Sequence, residues 1–456
     1  MEARLIDELR RLLARERVLT SPEELAVYSY DGTFLESKPD VVVLPHTTAE
    51  VASVLALADR ERVPVVPRGA GSGLAGGSVP ARGGIVLGTN QMNRILDVDT
   101  VDMVAVVEPG VINASLQAAV EAKGFFYPPD PASLKQSTIG GNVATGASGP
   151  RCLKYGGTKD YVLALQVVLP GGRVARCGGR MIKNVSGYNL SQLFVGSEGT
   201  LGVVTEATLR IIPLPKARGT VLAVFPRLED AGEAVNAILG AGVVPLALEI
   251  MDQTAIYCVE QYLHAGLPLD VEAQLLVDVD GDECSVTQQL QVVSDTCRQR
   301  GAREVQVAAD KAESDRLWAV RRAISPSLGR LKPNKLGEDI SVPRSAIPEM
   351  VRRVAAIARQ YDLLIPLFGH IGDGNMHPNI LCDLRNPAEV ERVQAAARAI
   401  FDAAIGLGGT LSGEHGIGLL KRDFLPQSLD PNALALMRQL KATIDPNNIM
   451  NPGKVY

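Results

Sequence analysis

The chain has 456 residues, of which 46% are hydrophobic and 21% charged, and a formal net charge of −5. That length exceeds what one core usually organises, so two domains are expected, and the composition is that of an ordinary globular protein. Basic residues form no stripe able to displace counterions from a nucleic acid, which excludes a DNA- or RNA-binding role.

The N-terminal stretch MEARLIDELRRLLARER reads as an amphipathic helix carrying both charge signs. It has neither an apolar h-region nor a small-residue cleavage site, so it does not read as a secretory signal. No stretch approaches the roughly 20 apolar residues of a membrane span. Residues 41–44 are expected as a buried strand and 48–60 as a helix with Thr47 or Thr48 as its N-cap. Further strands are expected at 63–66, 85–88, 103–107, 164–169 and 203–212, with a helix near 111–123. After Pro-Leu-Pro at 213–215 the pattern becomes regular: strands at 220–225, 246–250, 273–279 and 304–308 alternate with helices at 229–240, 252–263 and 283–299. The change places a domain boundary near 216. The six cysteines, Cys152, Cys177, Cys258, Cys284, Cys297 and Cys382, are scattered without a CxxC pair. This excludes the usual iron–sulfur and structural zinc spacings and suits a reducing, cytoplasmic location.

Glycine is the compositional outlier. Its 44 residues gather at 69–77, 83–84, 140–149, 156–157, 171–179, 196–202 and 369–374. Such clusters mark backbone that takes positive φ or approaches a ligand closely, and their number in the first half points to a large, extended ligand. Residues 71–76, GSGLAG, satisfy G-x-G-x-x-G after the apolar run Val63-Pro64-Val65-Val66. A nicotinamide dinucleotide fingerprint needs a helix to begin at that loop. Here Gly77-Ser78-Val79-Pro80 and Arg82-Gly83-Gly84 follow, which no helix would tolerate. The NAD reading therefore fails, and the loop from Pro67 to Gly77 reads as an anion-binding nest of backbone N–H groups.

Three of only five histidines fall in two glycine-rich segments. In Phe368-Gly369-His370-Ile371-Gly372-Asp373-Gly374-Asn375-Met376-His377, a hairpin closing at 372–375 would put His370 directly across from His377. Two imidazoles so placed suit one metal, or are two polar residues satisfied near a turn. Leu411-Ser412-Gly413-Glu414-His415-Gly416 adds a carboxylate and an imidazole between glycines. Arg321 and Ser325 share a helical face by i,i+4 spacing, a face expected to end at Ser325 because Pro326 follows. That arginine is either a carboxylate grip or an ordinary surface residue.

The segments PRGAGSGLAGG, YPPDPASLKQSTIGGNVATGASGP (127–150), KNVSGYNLSQLFVGSEGTLGVVTEATLR (183–210) and NPGK (451–454) together resemble FAD enzymes of the vanillyl-alcohol oxidase and p-cresol methylhydroxylase fold. The resemblance spans essentially the whole chain and is strongest to the FAD-linked subunit of glycolate oxidase and to D-lactate and D-2-hydroxyacid dehydrogenases. It implies an α/β (α+β) architecture. A two-part FAD-binding domain would cover 1–215, a cap domain built on a mainly antiparallel sheet 216–419, and a tail over 420–456 would return to the FAD domain. It implies FAD contacts from Pro67, Arg68, Gly69, Ala70, Gly71, Ser72, Gly73, Gly76 and Gly77 at the pyrophosphate. Pro131, Ser133, Thr138, Gly141, Asn142, Thr145, Glu198, Gly199, Val203, Val204 and Asn451 would line the rest. No histidine lies between His46 and His264, so non-covalent FAD is expected.

The same resemblance makes His370, His377 and Glu414 the ligands of a divalent metal, zinc first, with manganese or cobalt as alternatives. It makes His415 the general base and Arg321 the carboxylate ligand. Ser325 stands where some relatives have Thr, and Lys335, with Lys332 as its rival, matches a further substrate lysine. The implied reaction is oxidation of glycolate or D-lactate to the 2-oxo acid: the metal acidifies the hydroxyl, His415 takes its proton, and hydride passes to flavin N5. The alternatives are a flavin-bearing subunit of a multi-subunit glycolate oxidase, inactive alone and passing electrons to a partner, or an enzyme like alkyl-glycerone-phosphate synthase. Neither nucleic acid nor a membrane span enters any of these readings.

Overall fold

The computed structural model describes residues 2–456. The chain divides into two compact units: the first takes the chain up to Gly149, Gly156–Leu214 and Glu414–Tyr456, and the second Pro150–Tyr155 and Pro215–Gly413.

The first unit carries two main sheets. One has strand order Val18–Leu19, Val41–Val43, Ile85–Gly88, Val65–Arg68, the last three parallel. Val41, Val42 and Val43 are fully buried, as a parallel strand covered on both faces must be. The helix Thr48–Glu61 connects two of these strands and buries Val51, Val54, Leu55 and Ala58 against their core. Thr47 is its N-cap, accepting from the Glu50 N–H at 3.2 Å, and Arg62 ends it in the left-handed region. The second sheet is antiparallel, in the order Ile95–Asp99, Val104–Val107, Val203–Arg210, Val162–Val168, Val174–Gly178. Strand Val65–Arg68 delivers the chain into the glycine loop, and no helix follows before strand Ile85–Gly88. A helix does form over Ile139–Thr145, where two glycines gave no sign of one. Thr138 caps its start, donating no proton but accepting from the Gly141 N–H, and Gly146 at φ 68° closes its end.

The C-terminal tail is woven into this unit. Val65 N–H donates to Ile449 O at 2.7 Å and Asn451 N–H to Val65 O at 2.8 Å, so the tail extends the pairing of the strand that feeds the loop. Lys441, on helix Pro431–Ile444, is buried and ion-pairs with Asp445. It also donates to Thr200 O and Met450 O, both at 2.8 Å.

The second unit is built on one antiparallel sheet, ordered Glu304–Val307, Ala217–Phe225, Ala273–Gly281, Ala247–Asp252, Leu367–Gly369, Asn375–Cys382, Asn334–Gly337, with Ile340–Ser341 also pairing to Asn375–Cys382. Strand alternation puts Ala247, Glu249 and Met251 on one face with Leu222, Gln274 and Leu276 of neighbouring strands. Helix Lys311–Arg322 packs on that face: Trp318 joins Ala247 and Leu276, and its Nε1 donates to Asp278 at 2.9 Å. Trp318 fixes the face of the helix that Arg321, one turn on, also occupies. The helix ends at Ala323, and a separate short helix, Ile324–Leu328, follows. Arg321 and Ser325 therefore do not share a continuous helical face, and Ser325 is helical despite Pro326. Within the first turn, proline's missing N–H removes no helical hydrogen bond.

Removing the Lys441 ammonium would leave Asp445 and two carbonyls buried without their partner. Lys441→Met is expected to lower the unfolding free energy by about 3–5 kcal/mol, read by urea denaturation.

Candidate active site

A cavity in the first unit has a volume of about 230 Å³ and opens to solvent. Of the expected FAD residues, all but Gly76 and Asn451 line it, and Glu414 and His415 line it too. The wall is mostly glycine, alanine, serine and threonine, so backbone N–H groups rather than long side chains face the space. A Cβ on Gly69 would lie 2.3 Å from Thr138 Oγ1, whereas a Cβ on Gly73 would meet no protein atom. The loop is thus pressed onto the neighbouring segment at one end and open at the other, a cradle suited to a long anionic cofactor such as FAD.

Gly76 stands behind the wall. At φ 78°, its missing Cβ would lie 2.9 Å from Leu35 and 3.1 Å from Leu419, so packing requires a glycine there. Asn451 is likewise a brace: its Nδ2 donates to Gly77 O at 2.9 Å and Glu198 O at 2.7 Å. Lys454 Nζ donates to the same Gly77 O and to Asn451 Oδ1. Burial pushes the Lys454 ammonium down to about 8, against the opposing pull of Asp31 and Glu198. Glu198 itself takes φ 49°, and its carboxylate accepts the N–H groups of Ile417 at 2.7 Å and Gly418 at 2.9 Å. It therefore fixes the backbone that follows His415.

The second unit holds a separate cluster on the sheet face described above. The hairpin register differs from the expected one: His377 pairs with Phe368, and His370 lies just past the strand end. The three-residue 3₁₀ turn Ile371–Asp373 shifts the closure, and Gly374 completes it at φ 84°, where a Cβ would sit 2.1 Å from Val342 O. The two rings are still neighbours, with centroids 5.2 Å apart at 86°. His370 Nδ1 is 2.6 Å from Glu249 Oε1, and Arg321 gives both Nε (2.8 Å) and Nη2 (2.6 Å) to Glu249 Oε2. Glu249 is almost wholly buried; burial raises its carboxyl, but His370 and Arg321 outweigh that and hold it below the usual range. Arg321 also lies over the Phe368 ring, 5.1 Å from its centroid.

His377 Nδ1 lies 3.6 Å from Asp339 Oδ1. Asp339 is fully buried and accepts from Asn375 Nδ2 and Ser412 Oγ, each at 2.7 Å. His370 thus has a carboxylate hydrogen-bonded at Nδ1, whereas Asp339 lies beside His377 Nδ1 at 3.6 Å, beyond hydrogen-bond reach. Ser325 and Lys335 are paired, Nζ to Oγ at 2.5 Å, with burial lowering the lysine's pKa; Lys332 instead pairs with Glu389. Glu249 and Asp339 were not anticipated from the sequence. Glu249 sits in Ala-Leu-Glu-Ile-Met-Asp, where a lone carboxylate reads as the polar phase of an alternating strand, and only the sheet register reveals its partners.

Comparison with known proteins follows these features. Residues 214–455 match the family of FAD linked oxidases, C-terminal domain, and residues 39–178 the FAD binding domain. The chain belongs to the FAD-linked oxidase family. It is 45% identical to glycolate oxidase subunit GlcD of Bacillus subtilis, over 94% of this chain and 92% of that protein. It is 36% identical to a D-lactate dehydrogenase of Anaerostipes hadrus, over 97% and 95% respectively. The fold is that of p-cresol methylhydroxylase solved with substrate bound, at TM-score 0.83 and 18% identity, covering 99% of this chain and 96% of that one. The protein is an FAD-binding oxidoreductase with an FAD-binding α/β architecture shared with that enzyme.

Two measurements probe this geometry. Glu249→Gln breaks a buried ion pair to Arg321 and is expected to cost about 3 kcal/mol of stability in urea denaturation, with Glu249→Asp costing less. For Lys454, the unfolded chain keeps its proton up to 10.5 while the folded one loses it near 8. The unfolded state then binds more protons in that window, so this group makes stability rise from about pH 8 to about pH 10.5 and its contribution is lost as pH falls through 8. In Lys454→Met that rise should flatten, read as denaturation midpoints across the window.

Proposed function

We propose that the protein oxidises a small 2-hydroxy acid of the glycolate or D-lactate kind to the 2-oxo acid, using non-covalent FAD and a divalent metal, with zinc the first choice. In this reading the first unit is the FAD domain and includes the tail, and the second is the substrate domain. The observation that carries it is Glu249, whose two oxygens hold a carboxylate-binding cation, Arg321, and a metal-type imidazole, His370, side by side. A 2-hydroxy acid presents to such a pair its carboxylate and its hydroxyl. The named relatives, a glycolate oxidase subunit and a D-lactate dehydrogenase, support the same substrate class.

The roles follow from the atoms. Glu249 engages Nε and Nη2 of Arg321 and leaves Nη1 for the substrate carboxylate. Lys335, held against Ser325, adds a second cation for the same end of the substrate. His370, steered through Nδ1 by Glu249, and its neighbour His377 would be the imidazole ligands of the metal. Ser412 is fixed by Asp339, and two Cα steps, about 7.6 Å at most, lead from it to Glu414, the proposed third ligand. His415 lines the cavity of the FAD residues and removes the hydroxyl proton. Bound FAD supplies the acceptor for the hydride leaving Cα, and a bound metal supplies Lewis acidity that lowers the hydroxyl pKa. A second reading, a flavin subunit that needs partners for turnover, is favoured by the Bacillus relative being a subunit.

The test mixes FAD-loaded protein anaerobically with glycolate, D-lactate, L-lactate and D-2-hydroxyglutarate and follows flavin absorbance near ~450 nm. Bleaching by glycolate or D-lactate, abolished by a chelator and restored by zinc or manganese, is the expected result. Bleaching by none of the four, with FAD and metal bound, would remove the hydroxy-acid reading for the isolated chain. Bleaching without multiple turnover in the presence of artificial acceptors would favour the partner-dependent subunit.

A further inference from the structure

Glu249 has three cationic or imidazole contacts and room for one more. Its Oε2 accepts Nε of Arg321 at 2.8 Å and lies 2.6 Å from Nη2, while its Oε1 lies 2.6 Å from His370 Nδ1. A carboxylate offers about four lone-pair positions, two on each oxygen, so one on Oε1 stays open. Gln274 has the complementary need. It is 3% exposed, and its Nε2 is buried with no acceptor among the described residues. Strand pairing matches Met251 with Gln274 and Glu249 with Leu276. Gln274 and Glu249 are therefore diagonal neighbours on one sheet face, about 7–8 Å apart at the backbone. Their side chains make no direct hydrogen bond, yet both line a cavity of about 30 Å³ between the sheet and helix Lys311–Arg322. Leu222, Leu276, Leu317 and Val320 supply much of the remaining wall, beside Arg321.

The two open groups define the occupant. It must accept a proton from an amide and give one to a carboxylate. A metal ion or an ammonium cannot accept from N–H, and a halide cannot donate to a carboxylate. Water does both, and it needs only about 10–15 Å³ of such space and two or more polar partners. A wholly apolar cavity would stay dry, whereas this one has an amide donor and a carboxylate acceptor on its wall. We propose that one buried water accepts from Gln274 Nε2 and donates to Glu249 Oε1, which makes Gln274 a positioning residue for Arg321 and His370. The water fills the fourth position of the carboxylate and stops it turning about Cγ–Cδ. Arg321 and His370, both bound to that carboxylate, then keep their orientation. Gln274 acts through Glu249 and touches no reacting atom. Its effect on substrate rests on the hydroxy-acid reading above, whereas the water itself does not.

The test pairs crystal structures of the FAD-loaded wild type and Gln274→Leu, at about 1.5 Å resolution, with steady-state kinetics on glycolate and D-lactate. In the wild type one ordered water should stand about 2.7–3.2 Å from both Gln274 Nε2 and Glu249 Oε1. In Gln274→Leu it should be gone, with the Glu249 carboxylate turned from its contacts. KM should rise about fivefold while kcat stays within about twofold, because the arginine holds the carboxylate alike in ground and transition states. Gln274→Met, close to glutamine in length but without a donor, should match Gln274→Leu. Gln274→Asn, which keeps the amide at shorter reach, should fall between these and the wild type. A packing role would reverse that order, since asparagine leaves the larger void. A dry cavity in the wild type, a water bonded to only one of the two groups, a wild-type KM in Gln274→Met, or a higher KM in Gln274→Asn than in Gln274→Met overturns the proposal. If none of the acids reduces the wild-type flavin, the hydroxy-acid reading falls instead, and the two crystal structures still decide the water and its hold on Glu249.

Discussion

Glu198 is the joint on which the glycine-lined cavity of the first unit depends. Its backbone N–H donates to Ala144 O at 2.7 Å, its carbonyl accepts from Asn451, and its carboxylate holds two consecutive N–H groups after His415. One residue thus ties the short helix Ile139–Thr145, the C-terminal tail and the segment carrying the proposed base. The tie is costly in two ways. A non-glycine residue at φ 49° is strained, and burial raises the carboxyl against the pull of those two N–H groups and of Lys454 and Lys421. The cost is tolerable because the wall has little else to hold it. Glycine and alanine segments contribute few side chains to packing, so their position must be set by hydrogen bonds to backbone.

The same reasoning explains why the tail belongs to the first unit from Glu414 onward. Asn451, Lys454 and Lys441 reach Gly77 on one loop and Glu198 and Thr200 on another, far from it in sequence. A buried lysine is an expensive tether, but its three protons can satisfy several carbonyls at once, which no apolar residue can do. Gly76, pressed against Leu35 and Leu419, is the apolar counterpart of these ties.

Much of the architecture could be read from local pattern alone. The buried strand at 41–44, a threonine cap at 47 or 48 and the exclusion of a helix after the glycine loop all rest on short-range rules, and the structure has each of them, with the strand at Val41–Val43 and Thr47 as the cap. What escaped depends on pairing between distant segments. The helix Ile139–Thr145 forms across two glycines because Thr138 and Gly146 cap it and Asn142 Nδ2 donates to Asn113 Oδ1. The hairpin register slipped because the turn took up one more bend than a tight loop would, leaving His370 beyond the strand although still beside His377. Glu249 and Asp339 were silent because an isolated carboxylate has no sequence signature until a fold places partners on both of its oxygens. Asn451 was legible as part of a motif, but its work as a brace behind the wall was not.

The charge of the second unit's cluster bears on how it would receive its ligands. Arg321 carries one positive charge against the two negative charges of Glu249 and Asp339, and Lys335, the second cation proposed for the substrate carboxylate, balances them. A carboxylate arriving alone would find no net attraction from that set, and its arginine is already engaged by Glu249. A divalent cation would add positive charge beside Arg321 and make the same residues an attractor for a carboxylate. In the proposed reaction Glu249 would therefore serve twice, orienting the His370 imidazole through their 2.6 Å contact and holding Arg321 for the incoming carboxylate.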